Sequence, residues 1–200
     1  MRRSSSQGYL GPRLVTCTTM NAAVVIPLKR FDLAKDRLRR NDDLDVTSIA
    51  RDLAQGVIEA SAPRPVIVVS EDSIVADFAS SLGAEVWHSD ATGLNEAVQG
   101  AYRGLTGRFE RLIIAHGDLR LPEGLGVVDF DPGLTLYADH HGTGTNVLVI
   151  PTGLDFRFAY GANSLARHID QAERLELTLR VVTDSPWRFD VDERSDLEGS

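Results

Sequence analysis

The stretch AAVVIPLKRFDLAKDRLRR, residues 22–40, sets the frame for the whole chain. Its first seven residues, 22–28, are apolar, rich in β-branched side chains and bounded by a charged segment, so they read as a buried strand. The charged residues that follow predict a helix starting near Leu33. A buried strand passing straight into a basic turn and a helix is how an α/β fold begins, and the rest of the chain continues the alternation.

VTSIARDLAQGVIEA (46–60) places Ile49, Leu53, Val57 and Ile58 on one helical face. PVIVVS (65–70) reads as a strand, DSIVADFASSLG (72–83) as a helix closed by a glycine, and AEVWH (84–88) as another strand. GLNEAVQGAYRGL (93–105) is helical and RLIIAH (111–116) is a strand. LTLYAD (134–139) and TNVLVIP (145–151) are two more strands, followed by the helix NSLARHIDQAERL (163–175). LTLRVVT (177–183) and WRFDV (187–191) predict strands, and DERSDLEG (192–199) predicts a last short helical turn. The order predicts a three-layer α/β/α fold on a mixed, mainly parallel sheet.

Two hundred residues with 42% hydrophobic content can bury a substantial core. We expect one domain over residues 21–200 and a disordered leader over 1–20. That basic start lacks the apolar segment of a signal peptide, and no apolar run approaches the roughly 20 residues that span a bilayer. The lone cysteine, Cys17, excludes disulfides within the chain and cysteine-based metal sites, which fits a cytoplasmic protein. The net charge of −8 argues against nucleic-acid binding through a broad basic face. Yet residues 1–40 carry nine of the 21 lysines and arginines, and the only two lysines, Lys29 and Lys35, share one short window. That window is either a solvated basic helix start or a local phosphate site.

α/β folds bind ligands beyond the carboxyl ends of their strands, and polar residues follow several strands here. Lys29 comes after the first strand, with Lys35 and Arg37 beyond it. His116, Gly117 and Asp118 follow RLIIA. Asp190 and Asp192 close WRFDVD, where alternate residues of a strand share a face and could approach one hard cation. Equally, Asp192 could cap the next helix. Asp118, also at a strand end, favours an oxygen-ligated Mg²⁺. His140 and His141 are adjacent, and in an extended segment they would point apart, which disfavours a shared zinc.

HHGTGTNVLVI (140–150) joins a glycine-rich turn to a strand. It is a plain turn, a metal corner or a cradle of backbone N–H groups for an anion. It is not a dinucleotide fingerprint, because Gly142 and Gly144 precede a strand and the third glycine is missing. No P-loop is present, and Ser164 lacks the second glycine of a nucleophile elbow.

Taken together, IPLKRFDLAKDRL, TGLNEAV, GDL, GTGTNVLVIP, FAYGANSLARH and FDVDERSDL resemble the 2-phospho-L-lactate and phosphoenolpyruvate guanylyltransferases of coenzyme F-420 biosynthesis. The resemblance runs over about residues 22–197. The combination of GTN, then YG-x-x-S-x-x-x-H, then D-x-D is its most specific part. It implies a nucleotidyltransferase fold of the GT-A, MobA-like group, with GTP and a three-carbon phosphoacid as substrates and pyrophosphate as leaving group. It also implies Mg²⁺ held by Asp118, Asp190 and Asp192. Thr145, through its N–H, with Gly161 and Ser164, would hold the carboxylate of the acceptor. Asn146 would tie the loop down as its strand begins. Lys29, Lys35 and Arg37 would receive the triphosphate, Lys29, Lys35 and Asp118 being catalytic, while Gly93, Leu94 and Asn95 would lie on the nucleotide side. His168 reads as a structural histidine. Related proteins suggest a homodimer. Two residues depart from the family pattern: Arg120 stands in place of a usual proline, and His116 in place of a small or uncharged residue. These leave open a different acceptor or base on the same fold, or a non-catalytic nucleotide-binding paralogue.

Overall fold

The computed structural model describes residues 21–33, 45–91, 93–191 and 196. Lys35, Arg37, Asp192 and residues 1–20 therefore lie outside the described residues. Strand β1 (Ala22–Pro27) lies between β2 (Val66–Ser70) and β4 (Arg111–Ala115), parallel to both. β3 (Glu85–His88) pairs in parallel with β2 and forms one edge. Beyond β4 comes β6 (Thr145–Pro151), which runs antiparallel to β4 and to β5 (Leu134–Ala138). β7 (Leu179–Val182) pairs in parallel with β5 and closes the other edge, giving the order β3-β2-β1-β4-β6-β5-β7.

Period-two alternation on β1 divides the core into two layers. Val24 and Ile26 pack toward α1 (Val46–Ala60) and α2 (Ser73–Ser81). Ala23 and Val25 pack on the opposite face, toward α3 (Leu94–Leu105) and α4 (Ser164–Arg174). Every residue of β1 from Ala22 to Ile26 is buried, as a central strand covered on both faces requires. Each such valine or isoleucine stabilises the fold by about 1.5–3 kcal/mol.

Helix starts follow their caps. Asp45 accepts from the N–H of Ser48 and Asp72 from that of Val75, each at 3.0 Å. The face of α1 is rotated from the sequence expectation. Val46, Ala50, Ala54, Val57 and Ile58 are buried, while Ile49 and Leu53 are only half-buried. Small alanines let the helix approach the sheet closely, which leaves the larger side chains on its flank.

Two local expectations are corrected. WRFDV is not a strand: Pro186–Arg188 forms a 3-10 turn capped by Ser185, and only Asp190 makes a bridge, opposite Leu119. Proline at the first helical position and the burial of Trp187, whose indole N–H donates to the carbonyl of Glu123, favour the turn. The two histidines do not diverge either. Residues 139–144 form a turn rather than extended chain, and the rings of His140 and His141 lie 3.7 Å apart.

All strands except β6 end at the same edge of the sheet, and β6 begins there. That edge gathers residues 28–30, 70–72, 89–91, 93, 116–120 and 139–145.

Candidate active site

The described site residues fall into two groups, one at the cleft of Lys29, Gly93 and Leu94 and one around Asp118, Asp190, Thr145 and Ser164. On the β1–β2 side, a narrow cleft is lined by Leu28, Lys29, Ser70, Glu71, Gly93 and Leu94, among others. Lys29, Gly93 and Leu94 thus come together, as expected. Lys29 is exposed at the mouth. Gly93 precedes α3, and among the described residues no side chain accepts from the first amides of that helix, while the Glu96 carboxylate folds back to where a Cβ on Gly93 would lie. Asn95 is placed differently. Its carbonyl accepts from the N–H of Tyr160 at 2.6 Å and its amide donates to the Tyr160 carbonyl at 3.2 Å. Both ends of Asn95 therefore tie the start of α3 to the segment FAYGANS.

On the β4–β6 side, a short antiparallel bridge brings the acids' segments together. Arg120 N–H donates to the Phe189 carbonyl and Val191 N–H to the Asp118 carbonyl, with Leu119 opposite Asp190. The amide of Asn146 donates to Asp190 Oδ1 at 3.2 Å and to the Trp187 carbonyl at 3.1 Å, so Asn146 fixes the carboxylate and its segment rather than the glycine-rich loop. His140 Nδ1 stands 3.9 Å from the same Asp190 oxygen. Among the described residues, no group of three or more histidine, cysteine, aspartate or glutamate side chains is arranged to hold a metal ion. Asp118 and Asp190 supply two hard oxygen donors, one of them oriented by Asn146, which fits a hard divalent cation when a further ligand joins them.

The turn before β6 is organised by Asp139, whose carboxylate accepts from the N–H of Thr143 at 2.8 Å. At Gly144 a Cβ would lie 2.7 Å from Asp139 Oδ2, so only glycine lets the two pack so closely. The N–H of Thr145 is not left for a ligand, because it donates to Ser164 Oγ at 3.0 Å. The Thr145 hydroxyl lies 3.1 Å from His168 Nδ1, and the N–H of Ala159 donates to His168 Nε2 at 3.0 Å.

These contacts fix where the protons sit. A backbone N–H on Nε2 makes that nitrogen the acceptor, so the ring proton is on Nδ1 and is given to Thr145 Oγ1. Burial, reinforced by His116 and Arg167, pushes the His168 pKa down to about 4, which keeps the ring neutral at pH 7. The hydroxyls of Thr145 and Ser164 each accept from within the protein, and each retains its own proton to donate. Two buried hydroxyls held by neighbouring groups, each with a proton to donate, have the chemistry to meet an oxyanion. The second wall is strained backbone: Gly161 has φ of 109°, reachable only by glycine at low cost, and Asn163 has φ of 57°.

Tyr160 packs its ring between two histidines, 5.3 Å from His116 and 4.9 Å from His168. Burial pushes its phenol pKa far up, so it stays protonated. Tyr160 Oη and His116 Nε2 are both buried without a hydrogen-bond partner among the described residues. Sequence reasoning set His140 aside as a metal ligand, gave Tyr160 no role of its own within its motif, and missed Glu71. The rule that pointed to Asp118, a polar residue directly after a buried strand, applies equally to Glu71.

A chain with this edge, its narrow cleft on one side and its buried hydroxyls and bridged acid segments on the other, has relatives. Residues 22–199 match the family described as guanylyl transferase CofC like. A phosphoenolpyruvate guanylyltransferase of Sphaerobacter thermophilus is 30% identical, the match covering 90% of this chain and 92% of that one. One from Nocardia farcinica is 33% identical, with 87% and 82% covered. The solved structure of a nucleotidyl transferase from Methanothermobacter thermautotroptrophicus superposes with a TM-score of 0.58 at 16% identity, over 90% of this chain and 95% of that one, a likeness of fold. The sheet order, the carboxyl-edge site and the near-complete match agree: this chain has a nucleotidyltransferase fold and belongs to the guanylyl transferase CofC-like family of enzymes.

Proposed function

We propose that the enzyme transfers GMP from GTP to a three-carbon phosphoacid, phosphoenolpyruvate or 2-phospho-L-lactate, with release of pyrophosphate, as a step of coenzyme F-420 biosynthesis. The observation that supports this reading is the pair of buried hydroxyls of Thr145 and Ser164, each accepting one hydrogen bond from within the protein and each keeping its own proton to donate. A carboxylate satisfies those donors without a counter-charge. The names of the matched relatives support phosphoenolpyruvate as acceptor and a guanylyl group as cargo.

The chemistry asked of the chain is positioning and charge neutralisation. A phosphate oxygen of the acceptor forms a bond to the α-phosphorus. The bond from that phosphorus to the α–β bridging oxygen breaks, and pyrophosphate leaves with the electron pair. The attacking phosphate is already anionic, so no general base is needed, which fits a site without a Ser-His or Cys-His pair. Thr145, Gly161 and Ser164 hold the acceptor's carboxylate, and Lys29, Lys35 and Arg37 offset the triphosphate charge. Asp118, Asp190 and Asp192 would hold Mg²⁺, which supplies Lewis-acid neutralisation of the reacting phosphates when bound.

A mass-spectrometric screen tests this, with GTP and ATP offered against a panel of phosphoacids in the presence of Mg²⁺. The expected result is a GMP adduct of phosphoenolpyruvate or 2-phospho-L-lactate with one pyrophosphate per adduct. Pyrophosphate released only from another nucleotide, or from none, overturns the reading.

A further inference from the structure

Two acids follow β2, and the structure uses them differently. Asp72 is committed: it caps α2 through the N–H of Val75 at 3.0 Å and lies 3.7 Å from Arg30. Glu71 is exposed, accepts no hydrogen bond among the described residues, and is the one carboxylate lining the cleft between β1, β2 and α3. The remaining lining sorts by chemistry. Leu28, Val69, Leu94 and Ala97 give apolar walls suited to a flat ring, and Lys29 stands at the opening as the cation for phosphates. Arg30, the other nearby cation, is taken up by Asp32 through two hydrogen bonds.

We infer that Glu71 reads the base of the nucleotide and selects guanine. The inference rests on the reading that this edge binds a nucleoside triphosphate, and it supplies a reason within this chain for the choice of base. Guanine offers two adjacent donors on one edge, the ring N1–H and the 2-amino group, matched to the two oxygens of a carboxylate. Adenine presents a ring-nitrogen lone pair at the same place, which a carboxylate repels. Xanthine keeps the ring N–H but replaces the amino group by a carbonyl, which also opposes a carboxylate. The start of α3, whose first amides meet no side-chain acceptor among the described residues, lies on the same cleft and suits the guanine 6-oxo group. The apolar walls contribute affinity that every base shares, so discrimination falls to the one anionic acceptor.

The test is Glu71→Gln, which keeps size and exposure but exchanges one acceptor oxygen for a donor. The purified full chain is titrated calorimetrically with GTP and with XTP, and kcat/KM is measured for both with phosphoenolpyruvate by pyrophosphate release. Wild type should prefer GTP. In Glu71→Gln the GTP value should fall by roughly 10- to 100-fold, because a charge-assisted pair is lost, while XTP gains. A GTP-to-XTP ratio unchanged by the substitution overturns the inference. If the wild-type protein binds GTP in preference to XTP yet releases no pyrophosphate with any acceptor, the proposed reaction fails, and the binding ratio of Glu71→Gln still decides the role of Glu71. If wild type shows no preference for GTP over XTP, the inference fails at once.

Discussion

The two sides of the carboxyl edge are built in opposite ways. On the β4–β6 side, polar groups are buried and bonded to one another: Ala159 to His168, His168 to Thr145, Thr145 to Ser164, and Asn146 to Asp190. On the β1–β2 side, the walls are apolar and the charged residues Lys29 and Glu71 are exposed. A buried network determines the direction of each proton before any ligand arrives, and each link depends on the next. An open cleft leaves its charged groups independent and solvated. Preorganisation on one side and adjustable charge on the other suit a small, rigid acceptor meeting a long, flexible triphosphate.

The sharpest way to break that contrast is at the carboxylates between the two sides. Asp190→Asn keeps the hydrogen bond from Asn146 but removes a charge needed to hold a cation. Turnover should fall by roughly 10²–10³-fold or more, with little change in melting temperature. Near-normal pyrophosphate release would remove Asp190 from the metal site.

His168→Phe probes the network next. It fills the same space without either hydrogen bond, so the acceptor KM should rise about 10-fold or more while the GTP KM stays close to wild type, and His168→Gln should recover part of the loss. Equal increases in both KM values would mean that His168 only supports the fold. A pH measurement sharpens this. The folded protein holds His168 neutral down to about pH 4, whereas an unfolded chain takes up the proton near 6.5. The unfolded state therefore binds more protons between these values, so stability from this group is full above about 6.5 and is lost as pH falls through 4. The loss amounts to about 3 kcal/mol, and the wild-type melting temperature should fall more steeply in this window than that of His168→Gln. Parallel profiles would show that burial of His168 is not coupled to folding in this way.

Ser164→Ala should have the smallest effect. It removes one hydroxyl donor and leaves the Thr145 N–H without its acceptor, so the acceptor KM should rise by about 10-fold with the nucleotide KM unchanged. A larger effect on GTP than on the acceptor would reverse the assignment of the two sides.

Much of the fold was legible because alternation and strand length report burial directly. AAVVIPL is the centre of the sheet, and RLIIA is its parallel neighbour, as their apolar runs imply. What failed was decided by tertiary packing. WRFDV has strand composition, but Pro186 and the burial of Trp187 beside Tyr137, ring centroids 4.6 Å apart, impose a turn. The rotated face of α1 was hidden because hydrophobicity alone ranks isoleucine and leucine above alanine, whereas close approach to a sheet rewards the smaller residue. In the site, Gly93 and Leu94 line the same cleft as Lys29, while Asn95 serves the backbone of Tyr160. The role of His168 was unreadable because its partners, Thr145 and Ala159, are 23 and nine residues away in sequence. Only folding shows that they meet.

The reversed strand β6 has a consequence for how such a site can diverge. Because it pairs with β5 as a hairpin, with Ala138 opposite Thr145, one wall of the proposed acceptor site rides on the short segment 139–144 between two fixed anchors. Exchanging that loop alone can reshape the pocket without disturbing the register of the sheet. The cleft of Lys29 and Glu71 has no such freedom, since its lining comes from the ends of two strands and the start of a helix far apart in the chain. If the two sides bind as proposed, a new acceptor is one loop replacement away, whereas a new base demands concerted change at several distant positions.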